Sequence, residues 1–228
     1  MSLEFRDILI RQDDFTLRAD LTVPQGRHAV IGASGSGKST FLSLIGGYLA
    51  PDRGRVLWQG QDITATAPGK RPVSTLFQHH NLFPHLTVAQ NVGMGLRPDL
   101  RLDRAQRVAV EQVLDRVGLA GTAARRPGDL SGGQQSRVAL ARVLLRARPL
   151  LLLDEPFAAL GPALKSDMLA LLAEVAGEAT VLMVTHDPAD ARAFAPATLL
   201  IEDGRVHPPR PTGPLLDNPP PGLRAYLG

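Results

Sequence analysis

The 228-residue chain has no cysteine, which excludes disulfides and thiolate metal sites and suits a reducing compartment without requiring one. Aromatic residues are 4% of the total, too few for a base-stacking platform that holds single-stranded nucleic acid. No run of eighteen apolar residues occurs. The longest stretches, such as Leu150–Leu153, are strand-sized, so no membrane-spanning helix is expected. The first ten residues, MSLEFRDILI, mix charge with apolar residues and lack the apolar region of a signal peptide. A cytoplasmic protein is therefore expected. Lysine is nearly missing: Lys38, Lys70 and Lys165 are three of 25 basic residues. Net charge is only +3 despite a pI near 9.8, and no block of like charges appears. No nucleic-acid partner is expected.

What is present reads as one α/β domain with a helical interruption. Leu3–Ile10 and Arg18–Val23 alternate like strands, and Arg55–Gln59 reads as another. Ala29–Gly32 is a short buried strand running into a glycine-rich loop, with a helix expected from about Lys38 to Leu49. Val73–Gln78 is a further apolar strand. Between Leu86 and Leu145 the pattern turns helical, with Val110, Val113, Leu114 and Val117 on one stripe. Asp103 and Gln106 form a capping box, and Gly118 is the stop. Strands return at Leu150–Leu153 and Thr180–Thr185 around a helix opened by Pro162, with Leu164, Met168, Leu171, Leu172 and Val175 turned inward. Leu199–His207 resembles a hairpin turned by Asp203-Gly204, and the tail from Pro208 is expected to be extended, with packing of LRAYLG as a last turn the alternative. The expected boundaries are a core over about 1–78 and 147–207, a helical subdomain over about 79–146, and a proline-rich tail over 208–228.

Two stretches point to a nucleoside triphosphate. Gly32-Ala33-Ser34-Gly35-Ser36-Gly37-Lys38-Ser39-Thr40 lies between strand and helix and fits the phosphate-loop pattern G-x₄-G-K-S. Its glycines let backbone N–H groups wrap a phosphate, Lys38 reaches the β- and γ-phosphates, and the Ser39 hydroxyl completes a Mg²⁺ shell. Leu150–Glu155 is a buried strand ending in two acids on the same sheet edge. Asp154 would support Mg²⁺, and Glu155 would polarise an attacking water. A third stretch, Leu130-Ser131-Gly132-Gly133-Gln134, opens another helix with a capping serine and exposed N–H groups, a second anion site.

The ordered set GASGSGKST, Gln78, LSGGQ, LLLLDEP and His186 resembles the nucleotide-binding subunit of an ATP-binding cassette (ABC) transporter over nearly the whole chain. That family's fold is a P-loop NTPase (RecA-like) core with an antiparallel β subdomain and an inserted α-helical subdomain. The resemblance implies ATP hydrolysis with Mg²⁺ in a head-to-tail dimer, where each ATP lies between one copy's phosphate loop and the other copy's LSGGQ turn. Ser131, Gly133 and Gln134 would contact the neighbour's γ-phosphate, which explains the second anion site. It also implies that Gln78 touches Mg²⁺ and the water, and that His186 contacts the γ-phosphate. His79, His80 and His85 lack acids at ligand spacing and read as surface or groove residues.

Two departures stand out. The family usually places an aromatic upstream of the loop to stack on adenine; here RQDDF offers Gln12 and Phe15. Either Phe15 stacks, or base stacking is weak and GTP competes. Gly161 stands where the family mostly has an aspartate that couples the two sites, implying looser coupling or modest ATPase activity.

Transport would require separate transmembrane permease subunits, with a solute-binding protein acting indirectly, and a peripheral place on the cytoplasmic face of a bacterial inner membrane. Leu82, Phe83, Pro84 and Leu86 either receive a permease helix or are local core. RRPVSTLFQHHNLFPHLTVAQNVGMGL is similar to the thiamine and thiamine pyrophosphate importers more than to iron, molybdate or polyamine importers, which remain the alternative. A soluble ABC ATPase acting on nucleic acid or ribosomes is opposed by the single cassette and by the roughly ninety residues between phosphate loop and LSGGQ.

Overall fold

A computed structural model describes residues 2–77, 81–158 and 160–227. Strands β1 (Ser2–Gln12) and β2 (Phe15–Pro24) form an antiparallel hairpin, and β4 (Arg53–Trp58) and β5 (Gln61–Asp62) extend it on the β1 side. β3 (Arg27–Ile31), β6 (Val73–Leu76), β7 (Leu150–Asp154), β8 (Thr180–Val184) and β9 (Ala197–Glu202) make a parallel array in the order β9-β3-β8-β7-β6. β10 (Arg205–Val206) joins the two arrays, because it pairs with β9 through the tight turn at Asp203 and Gly204 and lies alongside β2. Both turn residues have positive φ, 46° and 69°, as a two-residue hairpin of this hand requires.

Strand periodicity divides the core. In the leucine run of β7, Leu150 and Leu152 face the antiparallel sheet and α1 (Lys38–Gly46), whereas Leu151 and Leu153 face the opposite layer. That layer contains α5 (Pro162–Val175) and α6 (Pro188–Phe194). Each fully buried leucine is worth about 1.5–3 kcal/mol relative to exposure, so the run stabilises both layers at once. On α5 the buried residues are Met168, Leu169 and Leu172; Leu164, Leu171 and Val175 are only half-buried, narrower than the expected stripe.

The helical region packs α2 (Val88–Gly93), α3 (Arg104–Arg116) and α4 (Gly132–Leu145) around Val88, Val92, Val110, Val113, Leu114 and Val138. All three open with reciprocal capping boxes, Thr87 with Gln90, Asp103 with Gln106, and Ser131 with Gln134. Fully buried Asn91 accepts from the Phe83 N–H and donates to the carbonyls of Phe83, Leu86 and Thr87, pinning the loop before α2.

The tail departs from the extended expectation, whereas the alternative of a packed last turn at LRAYLG is met by a helix. β11 (Arg210–Pro211) pairs with Ala197 and Thr198 of β9, and two short helices follow, α7 (Thr212–Asp217) and α8 (Pro221–Leu227). Pro221 stands at a helix start, where its missing N–H costs nothing, and Leu215, Leu216 and Leu223 bury enough surface to fold the segment back. No helix among the described residues is long and apolar enough to cross a membrane.

One buried cation holds the phosphate-loop helix. Arg71 is 1% exposed and donates to the carbonyls of Leu44 (2.7 Å), Ile45 (2.8 Å), Thr64 (2.7 Å) and Thr66 (2.8 Å). It thereby supplies donors to carbonyls of the last turn of α1, where the i+4 donors run out; Leu44 O also receives the Gly47 N–H. Gly47 leaves room for it: a Cβ there would lie 2.5 Å from the Arg71 Nε.

Candidate functional site

Parallel strands bring their C-terminal ends to one edge, and the functional loops gather there. The loop after β3 turns with positive φ at Gly35 (77°) and Gly37 (105°), conformations that favour glycine. Gly37 has a second constraint, since a Cβ would come 2.5 Å from the Phe15 ring, which packs against the loop backbone. The Lys38 ammonium donates to the carbonyls of Gly32 and Ala33, both at 2.8 Å. Burial pulls the Lys38 pKa below its ordinary value, although the carboxylates of Glu155 and Asp154 oppose that.

A cleft of about 410 Å³ is lined by Gln12, Phe15, Ser34, Gly35, Gly37, Lys38, Ser39, Thr40, Asp154, Glu155 and Val184. Ser39 Oγ lies 3.4 Å from Asp154 Oδ2. Two adjacent oxygens on an octahedral Mg²⁺ are about 2.9 Å apart, so this pair fits the ion after a shift of about half an ångström. Burial first, and the neighbouring Glu155 second, raise the Asp154 pKa; a cation would reverse both. Glu155 occupies a left-handed backbone conformation (φ 45°), with its N–H on the Val184 carbonyl. Holding a glutamate there costs about 1–2 kcal/mol. That turn places Glu155 Oε2 3.2 Å from His186 Nδ1, just past the end of β8.

The remaining predicted residues divide. Gly32, Ala33 and Ser36 lie in the same loop but line a neighbouring hollow with Phe15, Ile201 and Glu202. Ser131, Gly132, Gly133 and Gln134 do not line the cleft. They form the first turn of α4, where the Ser131 hydroxyl accepts from the Gln134 N–H (3.3 Å) and the Gln134 side chain accepts from the Ser131 N–H (3.0 Å). Gln78 lies outside the described residues, as do His79 and His80. His85 is exposed and edge-on to Phe83, and no metal-holding group of histidines and acids occurs among the described residues. Leu82 packs into the core, whereas Phe83 is 39% exposed and Pro84 is exposed, so the segment supplies both core and free surface.

The phosphate loop, the paired acids and the capped glycine turn are now joined by an independent comparison: the family model described as ABC transporter matches residues 17–158. The chain belongs to the ABC transporter family. It is accordingly an ATPase with a P-loop NTPase fold that uses ATP and Mg²⁺. Similar proteins include the Thiamine import ATP-binding protein ThiQ of Cereibacter sphaeroides, 63% identical over 97% of each chain. The same-named protein of Ruegeria sp. is 54% identical over 99% of each chain. The dimeric ATP-binding cassette MJ0796 in a post-hydrolysis state, bound to ADP and Pi, superimposes with a TM-score of 0.78 at 27% identity, covering 92% of this ABC chain and 98% of that one.

Sequence reading missed Arg71 and the Lys165 ion pairs of α5, which reach partners remote in sequence, and Asn91, whose partners are near but lie in the loop before its helix. The only sequence signal at Lys165 was its rarity.

Proposed function

We propose that the chain is the ATP-hydrolysing subunit of a thiamine or thiamine pyrophosphate importer, working as a head-to-tail pair on the cytoplasmic face of the membrane beneath separate permease subunits. A solute-binding protein acts on it only through the permease. The cargo rests on the relatives of 63% and 54% identity, which carry thiamine import in their names. The pairing rests on one geometric observation: the Ser131 turn is a finished anion-receiving helix start that lies outside its own chain's cleft.

In this reading Lys38 exchanges its loop carbonyls for the β- and γ-phosphates, and backbone N–H groups of Gly35–Ser39 wrap them. Thr40 and Phe15 border the nucleotide, with Phe15 offering the ring face for the base. Ser39, Asp154 and Gln78 hold Mg²⁺, which supplies charge neutralisation on the phosphates. Glu155 takes the proton of the attacking water, and His186, against Glu155, orients the γ-phosphate. Ser131, Gly133 and Gln134 of the second copy close the site. Phosphate thus joins two helix-start turns that both receive anions. Tyr48 and Phe77, edge-on to one another with centroids 5.5 Å apart, and Phe83 are exposed aromatics and form the apolar side offered to the permease.

Glu155→Gln keeps the shape of the side chain and removes the base. ATP–Mg²⁺ is expected to trap it as a dimer in size-exclusion chromatography, with turnover lowered about 10²- to 10⁴-fold. A monomer with undiminished hydrolysis would overturn the shared-site reading. For cargo, a strain lacking the gene should lose uptake of labelled thiamine and regain it with the wild-type chain but not with Glu155→Gln. Unchanged uptake refutes the thiamine assignment.

A further inference from the structure

The first turn of α5 touches both ends of the chemistry. Lys165 Nζ lies 3.0 Å from Asp187 Oδ2 and 3.3 Å from Asp190 Oδ2, and Lys165 and Asp190 are largely shielded from water, their side chains 15% and 14% exposed. Asp187 follows His186 directly and caps α6 through the Ala189 N–H at 2.9 Å. Its own N–H donates to Thr185 Oγ1, and that hydroxyl donates to Asp190 Oδ2, both at 3.1 Å. His186 is therefore bracketed by two residues that the lysine network holds. Its ring meets Glu155 at 3.2 Å, and Glu155 leads back along the chain to α5. The contacts and the chain link Lys165, Asp187, His186 and Glu155 in series.

One residue before the lysine, Leu164 packs on the LSGGQ turn so tightly that a Cβ on Gly133 would lie 2.3 Å from its Cδ2. A shift of the Ser131–Gln134 turn on meeting a neighbour's phosphate is thereby carried through Leu164 into the helix turn that holds Lys165. Asp187 is held below the ordinary carboxylate range by the Lys165 bond against the opposing effect of burial, so the ammonium meets a charged partner. Gly161, at the α5 N-cap, has no side chain with which to do the same work.

We propose that Lys165 is a positioning residue: its ion pairs with Asp187 and Asp190 hold His186 in register with Glu155 and connect that pair to the LSGGQ turn through Leu164. The proposal rests on the roles given above to His186 and Glu155. It assigns Lys165 no contact with nucleotide.

The test is a double-mutant cycle on steady-state ATPase activity with Lys165→Met, Lys165→Arg, His186→Ala and Lys165→Met/His186→Ala. Lys165→Met should lower kcat about tenfold and move the KM for ATP less than about twofold, because binding groups are untouched. Lys165→Arg, which keeps the cation, should recover activity to within about threefold of wild type. In the His186→Ala background, Lys165→Met should cost nothing further. An equal loss in both backgrounds, or a rise in KM at constant kcat, overturns the proposal. If Lys165→Met does not fold, Asp190→Asn enters the same cycle with an expected loss of about threefold, and additivity with His186→Ala overturns it equally. A His186→Ala protein with wild-type turnover removes the role given to His186, and this proposal with it. That failure is recognised from the single variant alone.

Discussion

Replacing Arg71 with methionine tests whether a buried cation secures the phosphate-loop helix. Methionine follows the aliphatic stem but has no N–H to offer. Leu44 O still receives the Gly47 N–H at 3.2 Å, whereas the carbonyls of Ile45, Thr64 and Thr66 lose the guanidinium. A buried carbonyl left without its donor costs about 1–3 kcal/mol. The bonds to Thr64 and Thr66 are partly buried, so water recovers some of that loss, and removing the cation also relieves its desolvation. The balance is a destabilisation of about 3 kcal/mol, a large share of the 5–15 kcal/mol typical of a folded domain. Trp58, the single tryptophan and 6% exposed, reports unfolding by fluorescence. With a slope of about 2–3 kcal/mol per molar urea, the midpoint should fall by about 1 M without a change in slope. Lysine at 71 should lose about half as much, since one ammonium cannot reach both groups of carbonyls. A methionine variant within about 0.3 M of wild type would refute the assigned role.

Further tests address dimer coupling and pH. At Gly161, the α5 N-cap, φ is −65° and a Cβ would meet nothing within 4 Å, so aspartate fits without strain. Gly161→Asp should add a few tenths of a kcal/mol through capping and raise ATPase activity and ATP-dependent dimerisation; an unchanged rate and dimer would dismiss the idea that glycine loosens coupling. His28 is buried with Nε2 donating to Pro24 O at 2.8 Å and Nδ1 without a partner, and burial holds its pKa below 6.5. The unfolded chain therefore takes up a proton first. Stability should fall as pH drops below about 6.5, by at most about 1.4 kcal/mol per pH unit, until the folded imidazole also protonates. Urea midpoints at pH 7.5 and 5.0 should show a smaller acid loss in His28→Gln than in wild type; equal losses would exclude this histidine as the cause.

The site was legible wherever its chemistry is local. A phosphate loop, a strand ending in Asp154-Glu155 and a serine cap with glutamine three residues later each carry their mechanism within a few neighbours. The Asp203-Gly204 hairpin was legible for the same reason. Arg71 and Lys165 were not, because the partners that tie them to other elements, Ile45 and Asp187, lie 26 and 22 residues away and only the folded chain joins them. Before LRAYLG, where a last turn was allowed for, the tail misled because proline count was read as extension. Pro221 begins a helix instead, and the leucines beyond Pro211 find a surface that composition does not reveal.

Lys38 has a consequence for the stiffness of its own loop. Its ammonium, bonded to the carbonyls of Gly32 and Ala33, ties the helix start back to the beginning of the loop. Loss of this lysine consequently removes an internal clasp together with an anion contact, so such a variant should show a loosened loop by hydrogen exchange even in nucleotide-free solution.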